Sequence, residues 1–99
     1  MFKNGMRPVH PGECLREDYL GPLGMSANAL AKALHVPAPR INDIVRERRG
    51  ISADSAMRLA RCFDTTPQFW MALQSEYDLR VAQIAHADEI EQEIDPRAA

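Results

Sequence analysis

Several residue types and patterns are scarce in this sequence. Aromatic residues make up 6% of the chain and apolar residues 45%, so the core must be built mainly from aliphatic side chains. The two cysteines, Cys14 and Cys62, do not have the spacing of a metal or redox motif. There is no basic-then-apolar leader, and no apolar run approaches the ~18 residues that a membrane span needs. These absences predict a soluble, cytoplasmic protein with no cofactor and no membrane partner.

Motifs of enzyme chemistry are also missing. The sequence has no glycine-rich phosphate loop, nucleophile elbow or HExxH motif. His10, Glu13 and Glu17 could share one face of a first helix, but three potential ligands on a surface helix are weak evidence for a metal site. We therefore expect neither catalysis nor a bound metal.

Charge is distributed unevenly along the chain. The net charge is only -2 over 99 residues, a length that suits one domain. Residues 35–62 contain six arginines against three acidic residues, whereas residues 63–99 contain two arginines against eight acidic residues. The middle of the chain is therefore basic and its C-terminal third is strongly acidic.

Five segments combine helical spacing of apolar residues with a recognisable start. The starts are N-capping side chains or prolines that suit a first turn, at Pro11, Ser26, Pro37, Ser52 and Thr66. We expect Gly21-Pro22 to end the first helix. No stretch reads convincingly as a strand, so the fold class is all-α with five helices. The predicted organisation is an N-terminal arm over 1–9, a domain over 10–83 and an acidic tail over 84–99.

The second and third helices are separated by only three or four residues, around His35-Val36-Pro37, which is the spacing of a helix-turn-helix over about residues 26–47. Small Ala38 permits close approach to base edges, while Arg40, Asn42 and Asp43 lie opposite or beside the apolar face of the third helix. Three further arginines, Arg46, Arg48 and Arg49, suit phosphate contacts. Alternatively, these arginines are solvated surface that complements the helix dipole.

Residues 6–82 closely resemble the HigA-type antitoxins, a branch of the lambda-repressor-like (XRE) helix-turn-helix proteins. The most specific matches are RPVHPGE, RINDIVRERRGISADSA and FWMALQSEYDL. The resemblance implies a lambda-repressor-like fold and a homodimer that binds a palindromic operator in double-stranded DNA and represses its own operon. It also implies a protein partner, a HigB-type toxin, which is a RelE-like ribonuclease that cleaves messenger RNA.

Carried over to this chain, the resemblance implies a recognition helix over residues 38–47. The residues nearest the bases would be Ala38, Pro39, Arg40, Asn42 and Asp43, and the phosphate anchors would be Ser26, Arg46, Arg48 and Arg49. Pro39 departs from the polar base-reading side chain that related repressors often carry there, which leaves more of the readout to Arg40 and Asn42. Two alternatives stay open, a stand-alone repressor without a toxin and an interaction module that no longer binds DNA.

An apolar stripe on the fifth helix could form a twofold interface. Its members are Phe69, Trp70, Leu73 and Tyr77, extended by Leu79 and Val81. For Trp70 and Leu73, closing the core of one protomer is an equally good interpretation. The acidic tail is either a solvated, partly disordered end or a segment that lies near a basic toxin.

Overall fold

The computed structural model describes residues 7–97, which form five helical segments and contain no strand. Helix α1 joins three consecutive pieces, Pro11–Cys14, the π-helical Leu15–Leu20 and Gly21–Leu23. The others are α2 (Ala27–Leu34), α3 (Ala38–Val45), α4 (Ala53–Phe63) and α5 (Pro67–Glu93). The predicted all-α, five-helix fold is confirmed. Residues 1–6 of the predicted arm lie outside the described residues. Among residues 7–97, no helix is long and apolar enough to cross a membrane.

The predicted end of α1 at Gly21-Pro22 is wrong, because the helix continues to Leu23 and ends at Gly24. In a regular α-helix the ring of Pro22 would clash with the carbonyl four residues earlier, and the wider π-helical turn before it accommodates the ring. Gly24 has a φ of 59°, the left-handed conformation that glycine adopts without steric cost. The chain therefore reverses at Gly24, slightly later than the sequence indicated.

Helices α2, α3 and α4 end in the same compact way as α1, but without glycine. The residues at these ends, His35, Glu47 and Asp64, have φ values of 59°, 63° and 55°. In each case the next amide donates to a carbonyl five residues earlier, as Val36 does to Ala31 over 3.0 Å. This Schellman geometry satisfies carbonyls that the helix end leaves open. It also allows the chain to turn within very few residues.

The core is mainly aliphatic, as composition predicted. Its largest fully buried side chains include Leu15, Leu30, Ile41, Ile44 and Leu59. Trp70 is the one aromatic side chain among the buried core residues that the structure describes, and Tyr19 and Phe63 pack around it.

The assignment of Trp70 to a dimer interface is corrected by its position. The side chain is 0% exposed, and its indole N–H donates to Thr65 Oγ1 over 2.8 Å. A side chain with no exposed surface has nothing to offer to a second protomer. Trp70 therefore closes the core of its own chain.

The backbone of α1 lies directly against the C-terminal end of α3. A Cβ atom at Gly12 would lie 1.8 Å from the carbonyl oxygen of Ile44, so only glycine permits this approach. Arg16, one turn further along α1, donates a hydrogen bond to the carbonyl oxygen of Val45 and lies 3.3 Å from the carboxylate of Glu47. These contacts fix the end of α3 to α1.

His10 caps α1 and connects it to α5. Its Nδ1 accepts a 2.8 Å hydrogen bond from the amide of Gly12, and its ring packs edge-on against Tyr77 with 4.8 Å between the ring centres. The residue is buried, and this burial lowers the pKa of the imidazole. An unprotonated Nδ1 is needed for the cap, because a protonated nitrogen cannot accept the hydrogen bond.

The predicted boundary between the domain and an acidic tail after residue 83 lies within helix α5, and this division of the chain stays a prediction. Helix α5 runs without interruption to Glu93, because no proline or glycine occurs between residues 68 and 95. Residues 84–93 are exposed throughout, and the described chain measures 51 × 27 × 23 Å. The segment is solvated, as expected, but it is helical rather than partly disordered.

Gly12→Ala should lower the free energy of unfolding by about 3 kcal/mol or more, because the new methyl group overlaps a backbone carbonyl that cannot move without displacing α3. Gly21→Ala is the matched control, since its Cβ would lie 3.3 Å from the nearest atom. The control should change stability by no more than about 1 kcal/mol. Urea unfolding measures both; equal stability of the two variants would contradict the role of Gly12.

The stability of the protein should decrease as the pH falls through the ordinary imidazole pKa of 6.5. The folded state keeps His10 neutral because its pKa is lowered, whereas the unfolded chain takes up a proton there and is thereby favoured. The loss should continue until the pH reaches the lowered pKa of the folded state. His10→Asn keeps a capping acceptor that does not titrate, so its urea midpoint should fall less between about pH 8 and pH 5. Parallel curves for both proteins would refute this assignment.

Candidate nucleic-acid interface

Helices α2 and α3 form the predicted helix-turn-helix. The first ends at Leu34 and the second begins at Ala38, and left-handed His35 lets the chain reverse between them. Ile41 and Ile44 of α3 are fully buried in the core. The opposite face of α3 is therefore held outward at a fixed orientation.

The start of α2 is also held by a side chain that the sequence identified. Ser26 is exposed, and its Oγ accepts a 3.0 Å hydrogen bond from the amide of Ala29. A hydroxyl group that accepts this capping bond can still donate its own proton. Ser26 can thus cap the helix and contact an anion at the same time.

Helix α3 is two residues shorter than the predicted recognition helix over residues 38–47. It ends at Val45, since Arg46 leaves the helical region and Glu47 is left-handed. At its other end, Pro39 is exposed in the first turn, whereas Ala38 is half-buried and packs against the core. Pro39 therefore lies further outward than Ala38 and is the more accessible of the two to a partner.

Asn42 is engaged with a residue that sequence reasoning missed. Its Nδ2 donates to Asn28 Oδ1 over 2.7 Å and to the carbonyl oxygen of Ala38 over 3.0 Å. Asn28 lies at the exposed start of α2, so the pair links the two helices of the motif on their outer side. The sequence shows Asn28 only as a polar residue two positions after the Ser26 cap. Nothing in the sequence indicates that its side chain contacts Asn42.

Arg40 is not free at the surface, because it forms an ion pair with Asp54 at the start of α4. Arg58 donates from Nε to the same carboxylate oxygen over 2.9 Å, and its Nη1 donates to the carbonyl oxygen of Leu34 over 2.9 Å. The hydrogen bonds from Arg40 and Arg58 lower the pKa of Asp54. The carboxylate is therefore ionised and shared between two guanidinium groups.

The remaining arginines of this region differ in what they contact. Arg49 lies 3.7 Å from Asp43, so these two predicted site residues partly neutralise each other. Arg46 and Arg48 are exposed and form no ion pair with another residue in the described range 7–97. These two cations are the ones most available to a phosphate backbone.

The other predicted interface residues lie on α5. Leu73 and Tyr77 are half-buried, whereas Phe69, Val81 and Leu79 are 38%, 41% and 53% exposed. Apart from Trp70, this stripe keeps apolar surface that a second protomer could cover. Its role in a dimer stays a prediction.

The cluster considered as a possible metal site forms other contacts. Glu13 makes a bidentate ion pair with Arg7, with both N–O distances 2.8 Å, while Nδ1 of His10 accepts the capping bond. Within residues 7–97, no group of three or more histidine, cysteine or acidic side chains is arranged to hold a metal ion.

A family model described as helix-turn-helix matches residues 15–70, which includes both motif helices, the loop after them and the start of α5. The match covers more than half of the chain, so this protein belongs to the helix-turn-helix family.

Similar proteins narrow the class further. The structure of Pseudomonas aeruginosa antitoxin HigA with the higBA promoter is 59% identical, covers 93% of this chain and 100% of that one, and gives a TM-score of 0.90. Antitoxin GraA in complex with its operator is 54% identical over 100% of both chains, also with a TM-score of 0.90. Virulence-associated protein I of Dichelobacter nodosus is 59% identical over 82% of this chain and 75% of that protein. The resemblance to HigA-type antitoxins is confirmed.

Proposed function

We propose that this protein is the antitoxin of a type II toxin–antitoxin module and represses the operon that encodes it. As a homodimer it binds a palindromic operator, with α3 of each protomer in the major groove, and it neutralises a HigB-type toxin that cleaves messenger RNA. It acts in the cytoplasm by binding rather than by catalysis.

The observation that carries the DNA-binding half is the arrangement of α2 and α3. Burial of Ile41 and Ile44 fixes the outward face of α3, and exposed Arg46 and Arg48 follow its end. Helix-turn-helix proteins bind DNA with such an arrangement. Side chains of the recognition helix contact base edges, and adjacent cations contact phosphates. The close relatives solved with a promoter or an operator support the same interpretation.

Two half-sites are needed because one short helix reads too few base pairs for useful specificity. Dimers place their recognition helices about 34–36 Å apart, one turn of DNA. The exposed apolar residues of α5 supply a candidate surface for that pairing. The toxin partner rests on the likeness to HigA antitoxins.

Selection of duplexes from a random library by the purified protein tests the proposal. We expect enrichment of a twofold-symmetric sequence with half-sites about one helical turn apart. If the gene is flanked by a reading frame for a HigB-type toxin, as the proposal expects, coexpression should also restore growth of cells that express that toxin. Enrichment without growth rescue would favour a stand-alone repressor, and folded protein that enriches no sequence would favour an interaction module without DNA binding.

The double variant Arg46→Ala/Arg48→Ala should weaken binding to all duplexes by a similar factor, since phosphate contacts carry no sequence information. Because a dimer carries both arginines on each protomer, four phosphate contacts are lost, and the slope of log affinity against log salt should fall by about 3.6, roughly 0.9 for each contact.

Arg97→Ala, which removes a charge beyond the end of α5, is the control and should leave the slope unchanged. Affinity titrations at several salt concentrations measure the slopes. An unaltered slope in the folded double variant would show that these arginines do not contact phosphates.

A further inference from the structure

Within the described residues, the guanidinium group of Arg40 contacts a partner through only one of its three nitrogens. Its Nη1 donates to Asp54 Oδ2, and the side chain is 29% exposed. A guanidinium group has five N–H donors in a rigid fork. The contact with Asp54 therefore leaves the donors on Nε and Nη2, which form one edge of the fork, available to another acceptor.

Asp54 is itself fixed, which distinguishes it from an ordinary surface acid. Arg58 bonds the same carboxylate oxygen and the carbonyl of Leu34, the last residue of α2. An isolated exposed ion pair holds a side chain only weakly, whereas a network with several bonds restricts it. Through this network, the start of α4 and the end of α2 together hold a side chain on the first turn of α3.

We infer that Asp54 is a positioning residue that holds the Arg40 guanidinium for base reading and thereby sets how strictly this protein distinguishes its operator from other DNA. The inference rests on the proposed function. Asp54 touches no base in this scheme and acts entirely through Arg40.

Three physical effects support this role. A long, flexible arginine loses rotamer freedom when it is fixed on a base, and a side chain already held loses less. The free Nε–Nη2 edge matches the paired acceptors O6 and N7 of guanine. The negative charge of Asp54 also offsets part of the attraction of Arg40 for phosphates, which is the interaction that all sequences share.

The matched test compares Asp54→Asn with Asp64→Asn at the other end of α4. Each variant loses one negative charge, but Asp64 forms no ion pair within the described chain. The DNA is the duplex that the unaltered protein enriches from the random library, set against a scrambled duplex of the same length and composition. The measured quantity is the ratio of the two affinities at one salt concentration.

In Asp54→Asn, we expect tighter binding to the scrambled duplex and a fall of roughly five- to tenfold in the ratio, a fraction of the discrimination that a bidentate base contact supplies. Asp64→Asn should keep the ratio. In an Arg40→Ala background, which lowers the ratio by itself, Asp54→Asn should cause no further fall. Circular dichroism establishes folding, and Asp54→Ser, which also suits the start of a helix, serves as the second variant.

The outcomes separate this inference from the proposed function. A parallel rise of both affinities with an unchanged ratio would show that Asp54 acts only as a repulsive charge, and the inference would fall while the DNA-binding function stood. An equal further fall in the Arg40→Ala background would show that Asp54 does not act through Arg40, with the same consequence. If the unaltered protein enriches no duplex, both fall.

Discussion

The close approach of α1 to α3 at Gly12 is the constraint on which the proposed DNA-binding surface depends. Helix α3 has only eight residues, and a helix of that length is not stable in water by itself. It is held by buried Ile41 and Ile44 on one face and by α1 at its C-terminal end. Because the bases are read by side chains only a few ångströms long, a small rotation of α3 would move every contact together. The first helix, which reads no DNA in this scheme, therefore determines where the recognition helix points.

The arginines near α3 divide into held and free groups, and a count of charges along the sequence does not reveal this division. Arg40 contacts Asp54, and Arg49 contacts Asp43. Arg46 and Arg48 make no ion pair within the described residues. A paired arginine has a fixed orientation, whereas an unpaired arginine attracts phosphates with a strength that falls as the salt concentration rises. The number of arginines over residues 35–62 therefore overstates how many cations are free to meet a phosphate backbone.

The features that the sequence predicted correctly are governed by neighbouring residues. Ser26, Ser52 and Thr66 cap their helices as expected, because a cap depends on a side chain and an amide two or three positions away. The motif turn was predictable for the same reason, since a proline soon after the end of a helix prevents its continuation.

The missed end of α1 has a local cause in its π-helical turn, whereas the missed contacts between side chains depend on distant parts of the chain. The spacing of apolar residues on α5 does not indicate that Tyr19 and Phe63 enclose Trp70. Likewise, nothing local indicates that Asn28 meets Asn42, or that Asp54 meets Arg40 fourteen residues earlier. The candidate surface was therefore predictable in its location and residue types, but not in its internal bonds. Those bonds decide which side chains can reach a base.

Helical structure in the acidic end of α5 has a consequence that a disordered tail would not have. Residues 63–99 carry eight acidic residues against two arginines, and a flexible chain with that charge could fold back onto Arg46 and Arg48 and compete with DNA. Ten helical residues from Ile84 to Glu93 extend about 15 Å in one direction, and they continue a helix whose first turns are anchored by buried Trp70. The acidic charge is therefore held along one axis instead of sampling the surface of the domain. Exposed Ile84 and Ile90 lie among these acids, so the same rigid segment presents apolar and negative groups together. One uninterrupted helix thus fixes the direction of the acidic segment without a second domain.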